Sequence, residues 1–237
     1  MSRKYLMVGM SHIQCLKAAL REDEAAQVEI INLKQNKDLW SRQTAQIKTG
    51  RFKTRDPDVV CICIGGNEHN QLGLLDHPEP IAVGSAELGL APGADDTAPR
   101  QLIPRAVMRD AMKAMMHKHD QMTAQLHVDF PNARFIHLSS PPPIAEGDHV
   151  LKNLGIFKDK LHNGIGPVTL RKTLYDLQVD LTREQAEALG AEFLPAAPGA
   201  LTEDGFLKDG FYNNDPSHGN AAYGRLMLDR IFERETV

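Results

Sequence analysis

Apolar residues in this chain fall into short continuous runs, separated by longer stretches in which they recur at helical spacing. The first run, Tyr5-Leu6-Met7-Val8, predicts a strand over residues 4–8. Between residues 11 and 21 the apolar positions Ile13, Leu16 and Leu20 share one face, as in an amphipathic helix. A second strand is predicted over 28–33. A third, over 58–64, is a Val/Cys/Ile run between Pro57 and Gly65-Gly66, the pattern of a strand buried on both faces of a parallel sheet. Residues 105–126 read as a long helix whose methionine stripe (Met108, Met112, Met115, Met116, Met122) is core filling. A fourth strand over 134–138 stops at Ser139-Ser140 and Pro141-Pro142-Pro143. A helix over 169–189 closes at Gly190, a fifth strand spans 191–194, and a last helix runs over 217–232.

Alternation of strands and helices implies an α/β protein: a parallel sheet covered by helices on both sides. No internal repeat or domain linker breaks the pattern, so one domain over residues 1–237 is expected. Two proline-rich stretches, 76–104 and 141–167, are too long for simple connections. Long loops of this kind are usually rims or lids of a site. Ligands of open parallel sheets bind beyond the carboxyl ends of the strands, and Ser11, Asn67 and the 139–143 turn all follow predicted strands.

Composition narrows the function. A hydrophobic content of 42% and a charged content of 24% are those of an ordinary globular chain. The net charge of −4, with Lys and Arg scattered, argues against nucleic acid as a partner. No run approaches a membrane span, and the apolar run after Arg3-Lys4 is too short for a signal-peptide core. Cys15, Cys61 and Cys63 are odd in number and lie in apolar segments, so free buried thiols and a cytoplasmic location are expected.

Three elements carry candidate chemistry. Gly9-Met10-Ser11-His12 places a serine where the first strand ends, Gly65-Gly66-Asn67-Glu68 places an amide after the third, and Asp215-Pro216-Ser217-His218 pairs a carboxylate with an imidazole near the C-terminus. Each has a plain structural alternative: Ser11 or Asp215 as a helix cap, Asn67 as a turn residue. Together they provide a nucleophile, a base and the group that orients the base, as acyl transfer requires.

With these residues in this order, the chain resembles the SGNH (GDSL-like) hydrolases, a superfamily of serine esterases and lipases. Gly9-Met10-Ser11 matches the family's Gly-Asp-Ser element except at Met10. Gly65-Gly66-Asn67-Glu68 matches Gly-x-Asn-Asp with Glu68 in place of the acid, and Asp215-Pro216-Ser217-His218 reproduces Asp-x-x-His in full. Phe211-Tyr212-Asn213-Asn214, Gly219-Asn220-Ala221-Ala222-Tyr223-Gly224 and the Pro141-Pro142-Pro143 turn strengthen the likeness. The resemblance implies a three-layer α/β/α sandwich around a flavodoxin-like, five-stranded parallel sheet. It further implies Ser11 as nucleophile, His218 as base and Asp215 as its orienting acid. The oxyanion donors would be the backbone N–H of Ser11, the Asn67 amide and a glycine between the second and third strands, where Gly50 is the only one. His12 and His69, beside these elements, are candidates for substrate contact.

The expected activity is hydrolysis of a carboxylic ester through an acyl-enzyme, without a cofactor. The substrate would be a small-molecule ester or acylated sugar. Low aromatic content, 5%, favours a short acyl or O-acetyl group, and Asp95, Asp96, Asn153 and Asn163 in the polar loops suit a hydroxylated alcohol. An O-acyltransferase with the same triad and a non-catalytic binding protein remain as alternatives, the second motivated by Met10 and Glu68. A metal site is not expected: His117 and His119 are two apart on a helix and diverge, and no paired cysteine or H-E-x-x-H pattern occurs. No phosphate-binding glycine loop and no G-x-S-x-G elbow occur either.

Overall fold

The computed structural model describes residues 3–84 and 99–233. In chain order the strands are β1 (Tyr5–Gly9), β2 (Val28–Asn32), β3 (Trp40–Ser41), β4 (Gln46–Ile47), β5 (Val59–Cys63), β6 (Ile81–Gly84), β7 (Gln101–Pro104), β8 (Arg134–Leu138) and β9 (Glu192–Leu194). The helices are α1 (Gln14–Ala19), α2 (Glu22–Ala25), α3 (Glu68–Gly73), α4 (Arg105–Asp129), α5 (Gly147–Lys152), α6 (Val168–Ala188) and α7 (Ala221–Glu233). The central sheet has five strands in the order β2-β1-β5-β8-β9, all parallel.

Alternation along β1 and β5 decides which residues meet which layer. Tyr5, Met7, Val59, Cys61 and Cys63 face α1 and α7, where they pack with Leu16, Tyr223, Met227 and Ile231. Leu6, Val8, Val60 and Ile62 face the other way, onto Met122 and Leu126 of α4 and onto Phe52. Both faces are covered, so these strands are apolar at every position, and the fold is the expected three-layer α/β/α sandwich. The three cysteines are buried and free. Gly224 lets α7 lie directly on α1, because a Cβ there would come within 2.0 Å of the Cys15 carbonyl oxygen.

The long stretches are less irregular than their composition suggests. Residues 76–104 contribute β6 and β7, a two-stranded parallel sheet of their own. Val83 joins a third core between α4 and α6, with Met108, Met112, Met116, Leu170 and Leu174. Most of the methionine stripe is therefore core, although Met115 is exposed. Asp95 and Asp96, expected in the polar loops, lie outside the described residues. The 141–167 stretch carries α5 and is tied down by the buried Arg171, whose guanidinium donates to the carbonyls of Gly166, Ile144 and Ala145. Helix α7 begins at Ala221 rather than at residue 217, because Asp215 and its neighbours form a turn that the helix cannot absorb.

Candidate functional site

At the carboxyl end of β1 the chain is pinned from both sides. Met10 N–H donates to the Cys63 carbonyl at 2.9 Å, and Leu33 N–H to the Gly9 carbonyl at 2.8 Å. The backbone then enters a tight helical turn, Ser11–Ile13, which leads into α1. Ser11 heads that turn, where the first N–H groups have no intrahelical acceptor.

The Asp215 carboxylate organises the opposite wall. Its Oδ1 accepts from the backbone N–H groups of Ser217 at 2.9 Å and His218 at 2.8 Å, and the same oxygen meets His218 Nδ1 at 2.8 Å. Oδ2 accepts from the Asn213 amide at 2.8 Å. One side chain thus shapes the turn and fixes the imidazole. Burial by itself would raise the Asp215 carboxyl, but the His218 ring and the two N–H groups outweigh it and hold the acid far below the usual carboxylate range. With Nδ1 engaged, Nε2 is left facing inward, buried and without a hydrogen-bond partner among the described residues.

Ser11, His218 and Asp215 line one cavity of about 270 Å³, together with Asn32, Lys34 and Gln35 from the end of β2. No hydrogen bond joins Ser11 to the His218 ring. Such contacts are often long before substrate binds.

The Gly65–Glu68 loop is braced from within. Glu68 Oε2 accepts from the N–H groups of Gly66 and Asn67, both at 3.0 Å, while Oε1 meets His119 Nδ1 of α4 at 2.7 Å. Burial would raise this carboxyl, yet the His119 ring and the backbone donors hold it below its ordinary value. Asn67 Oδ1 accepts from the Asn70 amide at 2.9 Å, which leaves the Asn67 NH₂ as its free end. Gly66 has φ +87°, and a Cβ there would press on Ser140 at 2.9 Å and on the His12 ring at 3.3 Å, so this loop, the 139–143 turn and the start of α1 converge.

Three expectations are corrected. Gly50 is exposed and far from this cluster: its neighbour Thr49 donates to Asp129 at the end of α4, at the amino-terminal edge of the sheet where β8 is about to begin. The N–H groups of Lys34 and Gln35, in the loop after β2, are both taken by Asn32 Oδ1, at 3.0 and 3.2 Å. Neither His12 nor His69 reaches the surface to touch a substrate, at 2% and 1% exposure. His69 is held by Gln178 Oε1 at 2.8 Å, and burial lowers it to about 4. His12 lies against His218 with ring centroids 4.5 Å apart. Burial, then the His218 and His69 rings, push His12 well below its usual range. Asn153 caps α5 through the His149 carbonyl at 2.8 Å, and neither it nor Asn163 lines the cavity. The 141–167 stretch does reach the site: His149 Nε2 lies 3.3 Å from the Asp215 carbonyl.

The Glu68–His119 brace and the walls supplied by Asn32, Lys34 and Gln35 were not expected from the sequence. Glu68 was visible as a departure from a motif, but nothing local signals that α4 brings His119 to it. Among the described residues no group of three or more His, Cys, Asp or Glu could hold a metal ion, and no helix is long and apolar enough to cross a membrane.

No family model matches the chain, and no curated protein matches it in sequence. Solved structures do. Phospholipase A1 from Streptomyces albidoflavus superposes with a TM-score of 0.52 at 15% identity, over 99% of each chain. A Bacteroides fragilis protein classed provisionally as an acylhydrolase gives 0.51 at 12% identity, covering 99% of this chain and 86% of its own. A Streptococcus pneumonia protein, described provisionally as platelet activating factor, gives 0.54 at 14%, covering 100% and 85%. The fold is that of the SGNH, or GDSL-like, hydrolases.

Proposed function

We propose that this protein is a serine ester hydrolase of the SGNH type, acting on short-chain acyl or O-acetyl esters through an acyl-enzyme on Ser11. The observation that carries the reading is the Asp215–His218 bond of 2.8 Å at the rim of a cavity that Ser11 also lines. Asp215 on Nδ1 sets the tautomer in which Nε2 is free to accept a proton. As Ser11 Oγ bonds to the ester carbonyl carbon, its proton passes to Nε2, and the carbonyl oxygen becomes an oxyanion. The Ser11 N–H and the Asn67 amide are its donors. Collapse breaks the bond to the alcohol oxygen, which leaves with the proton from Nε2. Water then attacks the acyl-enzyme by the same route in reverse.

Glu68 and Met10 favour this reading over a binding protein that has lost its chemistry. Glu68 braces the loop of Asn67. Met10 keeps its backbone bond to Cys63 and tucks its side chain against the core on the α4 face. The test is turnover of p-nitrophenyl acetate by the wild type and by Ser11→Ala, with a fluorophosphonate probe to identify the reactive serine. Hydrolysis lost in the variant and label on Ser11 support the reading; label on another serine, or turnover that survives the substitution, refutes it. Transfer of the acetyl group to an added sugar in preference to water would assign the acyltransferase activity instead.

A further inference from the structure

The turn that carries Asp215 and His218 is nearly closed upon itself. Asp215 accepts from Ser217, His218 and Asn213, and the Asn213 N–H donates to the His218 carbonyl at 3.0 Å. Asn220 ties the two ends together, its amide donating to the carbonyls of Gly210 and Tyr212 at 2.8 and 3.1 Å. These bonds give the turn its shape. None of them fixes where the turn lies relative to Ser11, because donors and acceptors all move with it.

Among the described residues, the hydrogen bonds that join 212–219 to a distant part of the chain come from one side chain. His149 Nε2 lies 3.2 Å from the Asn213 carbonyl oxygen and 3.3 Å from that of Asp215. A carbonyl oxygen only accepts, so Nε2 carries a proton and shares it between the two. The His149 ring also lies against Tyr212, with centroids 4.8 Å apart. Its backbone is anchored: the next residue, Val150, is fully buried in the core that holds Met227 and Ile231 of α7. The segment before α5 is held in turn by Arg171, at the carbonyls of Ile144 and Ala145. Water can satisfy two carbonyls, but it cannot fix their distance from the rest of the fold. A side chain on an anchored helix can.

We infer that His149 is a positioning residue for the triad. It clamps the 213–215 backbone, and with it Asp215 and the His218 imidazole, at the place from which His218 serves Ser11. The inference rests on the hydrolase reading for its effect on catalysis, whereas the clamp itself does not. His149 is not among the residues that line the cavity, so its influence passes through the turn and not through contact with substrate. Displacing a reacting group by roughly 1 Å can cost about 10²-fold in rate, so a bond that sets only the position of the turn is enough to matter.

The test uses the full chain and separates the ring from its donor. His149→Phe keeps a ring beside Tyr212 and removes the donor. His149→Gln carries an amide N–H at the reach of Nε2, and His149→Asn carries one only at the reach of Nδ1. In p-nitrophenyl acetate hydrolysis, His149→Phe and His149→Asn should each lower kcat by about tenfold, the rate equivalent of one hydrogen bond, with KM unchanged. His149→Gln should recover most of the rate. A side chain that merely filled space would give another order, with Phe the best replacement and Gln no better than Asn. Independently of turnover, ¹⁵N spectra should show His149 with a proton on Nε2. The His218 Nδ1 proton should exchange with solvent faster in His149→Phe than in the wild type or His149→Gln. An unchanged kcat in folded His149→Phe, a Gln variant as slow as the Phe one, or a His149 ring protonated on Nδ1 alone overturns the inference. If His149→Phe does not fold, His149→Gln against His149→Asn decides it by the same two readouts. If the wild type hydrolyses no ester, the functional reading fails and proton exchange at His218 alone decides the clamp; a rate unchanged by His149→Phe overturns it.

Discussion

Two pairs of histidine rings meet in this molecule, His12 with His218 and His127 with His137. The centroids are 4.5 Å apart in the first and 5.3 Å in the second. Both lie beside the central sheet and both contain a buried ring. In the second pair Nε2 faces Nε2 at 3.0 Å, Phe135 stacks on His127, and no carboxylate is bonded to either ring among the described residues. Burial and the neighbouring ring lower His137 to about 3, and burial lowers His127 as well. Only one proton can lie between the two facing Nε2 atoms, so one ring donates and the other accepts. In the first pair the outer ring carries Asp215 on Nδ1. Burial and a neighbouring imidazole lower the rings of the second pair, whereas the outer ring of the first has an acid on its far nitrogen, the arrangement that the proposed base requires.

The largest effects should separate the two pairs outright. Ser11→Ala and Asp215→Asn should each lower ester turnover by on the order of 10⁴, because nucleophile, base and orienting acid act as a unit. His127→Phe should leave turnover within about threefold, since the His127 ring is bonded to His137 and not to Ser11, His218 or Asp215. A steady-state assay of the three variants decides this, and a comparable loss in His127→Phe would erase the distinction.

The oxyanion side comes next. Asn67→Ala should cost about 10²-fold in kcat with KM nearly unchanged, the usual loss for one donor. Glu68→Ala leaves two loop N–H groups and His119 without their acceptor and should fall in the same direction by a smaller factor. An Asn67→Ala enzyme of wild-type kcat would remove the amide from the site.

Smaller, and spread over the whole molecule, is the dependence of stability on pH. His69, at about 4, and His137, at about 3, lie below the roughly 6.5 of an unfolded histidine. The unfolded chain therefore takes up protons first. The stability these neutral rings contribute is complete above about pH 6.5 and is lost as pH falls toward 4 and then 3, at about 1.4 kcal/mol per unit for each ring. Urea titrations at several pH values should show this slope, and His137→Phe should reduce it by one proton. A slope unchanged in that variant would mean that His137 is already protonated in the folded state. The Asp215 carboxyl, held low, withdraws its own contribution only below about pH 4, where that of His69 is already lost and that of His137 is still falling.

Much of this architecture is local and was legible in order. Short runs with both faces apolar, such as Val59–Cys63, can only be strands covered on two sides, and Arg134–Leu138 was bounded correctly by its flanking turns. The placing of Ser11, Asn67 and the 139–143 turn at the carboxyl edge of the sheet followed from their positions directly after strands. The Asp215–His218 contact spans only three residues, so the turn itself makes it.

What tertiary structure alone decided involves partners far apart in the chain. Gly50 was chosen because it is the one glycine in its interval, and residue type carries no information about which edge of the sheet a loop will occupy. The β6–β7 pair was hidden by prolines and glycines, because its apolar residues show their purpose only against α4 and α6. His12 and His69 stand next to motif residues in sequence, yet packing of α7 and α6 seals them from solvent. His119 reaches Glu68 across 51 residues, and Tyr223 meets His12 across a cavity that exists only when α7 lies on α1. Hydrophobic period and turn chemistry act over a few residues, so a sequence states them directly. Burial, pairing and the free end of a side chain belong to the packed whole, and only the fold can set them.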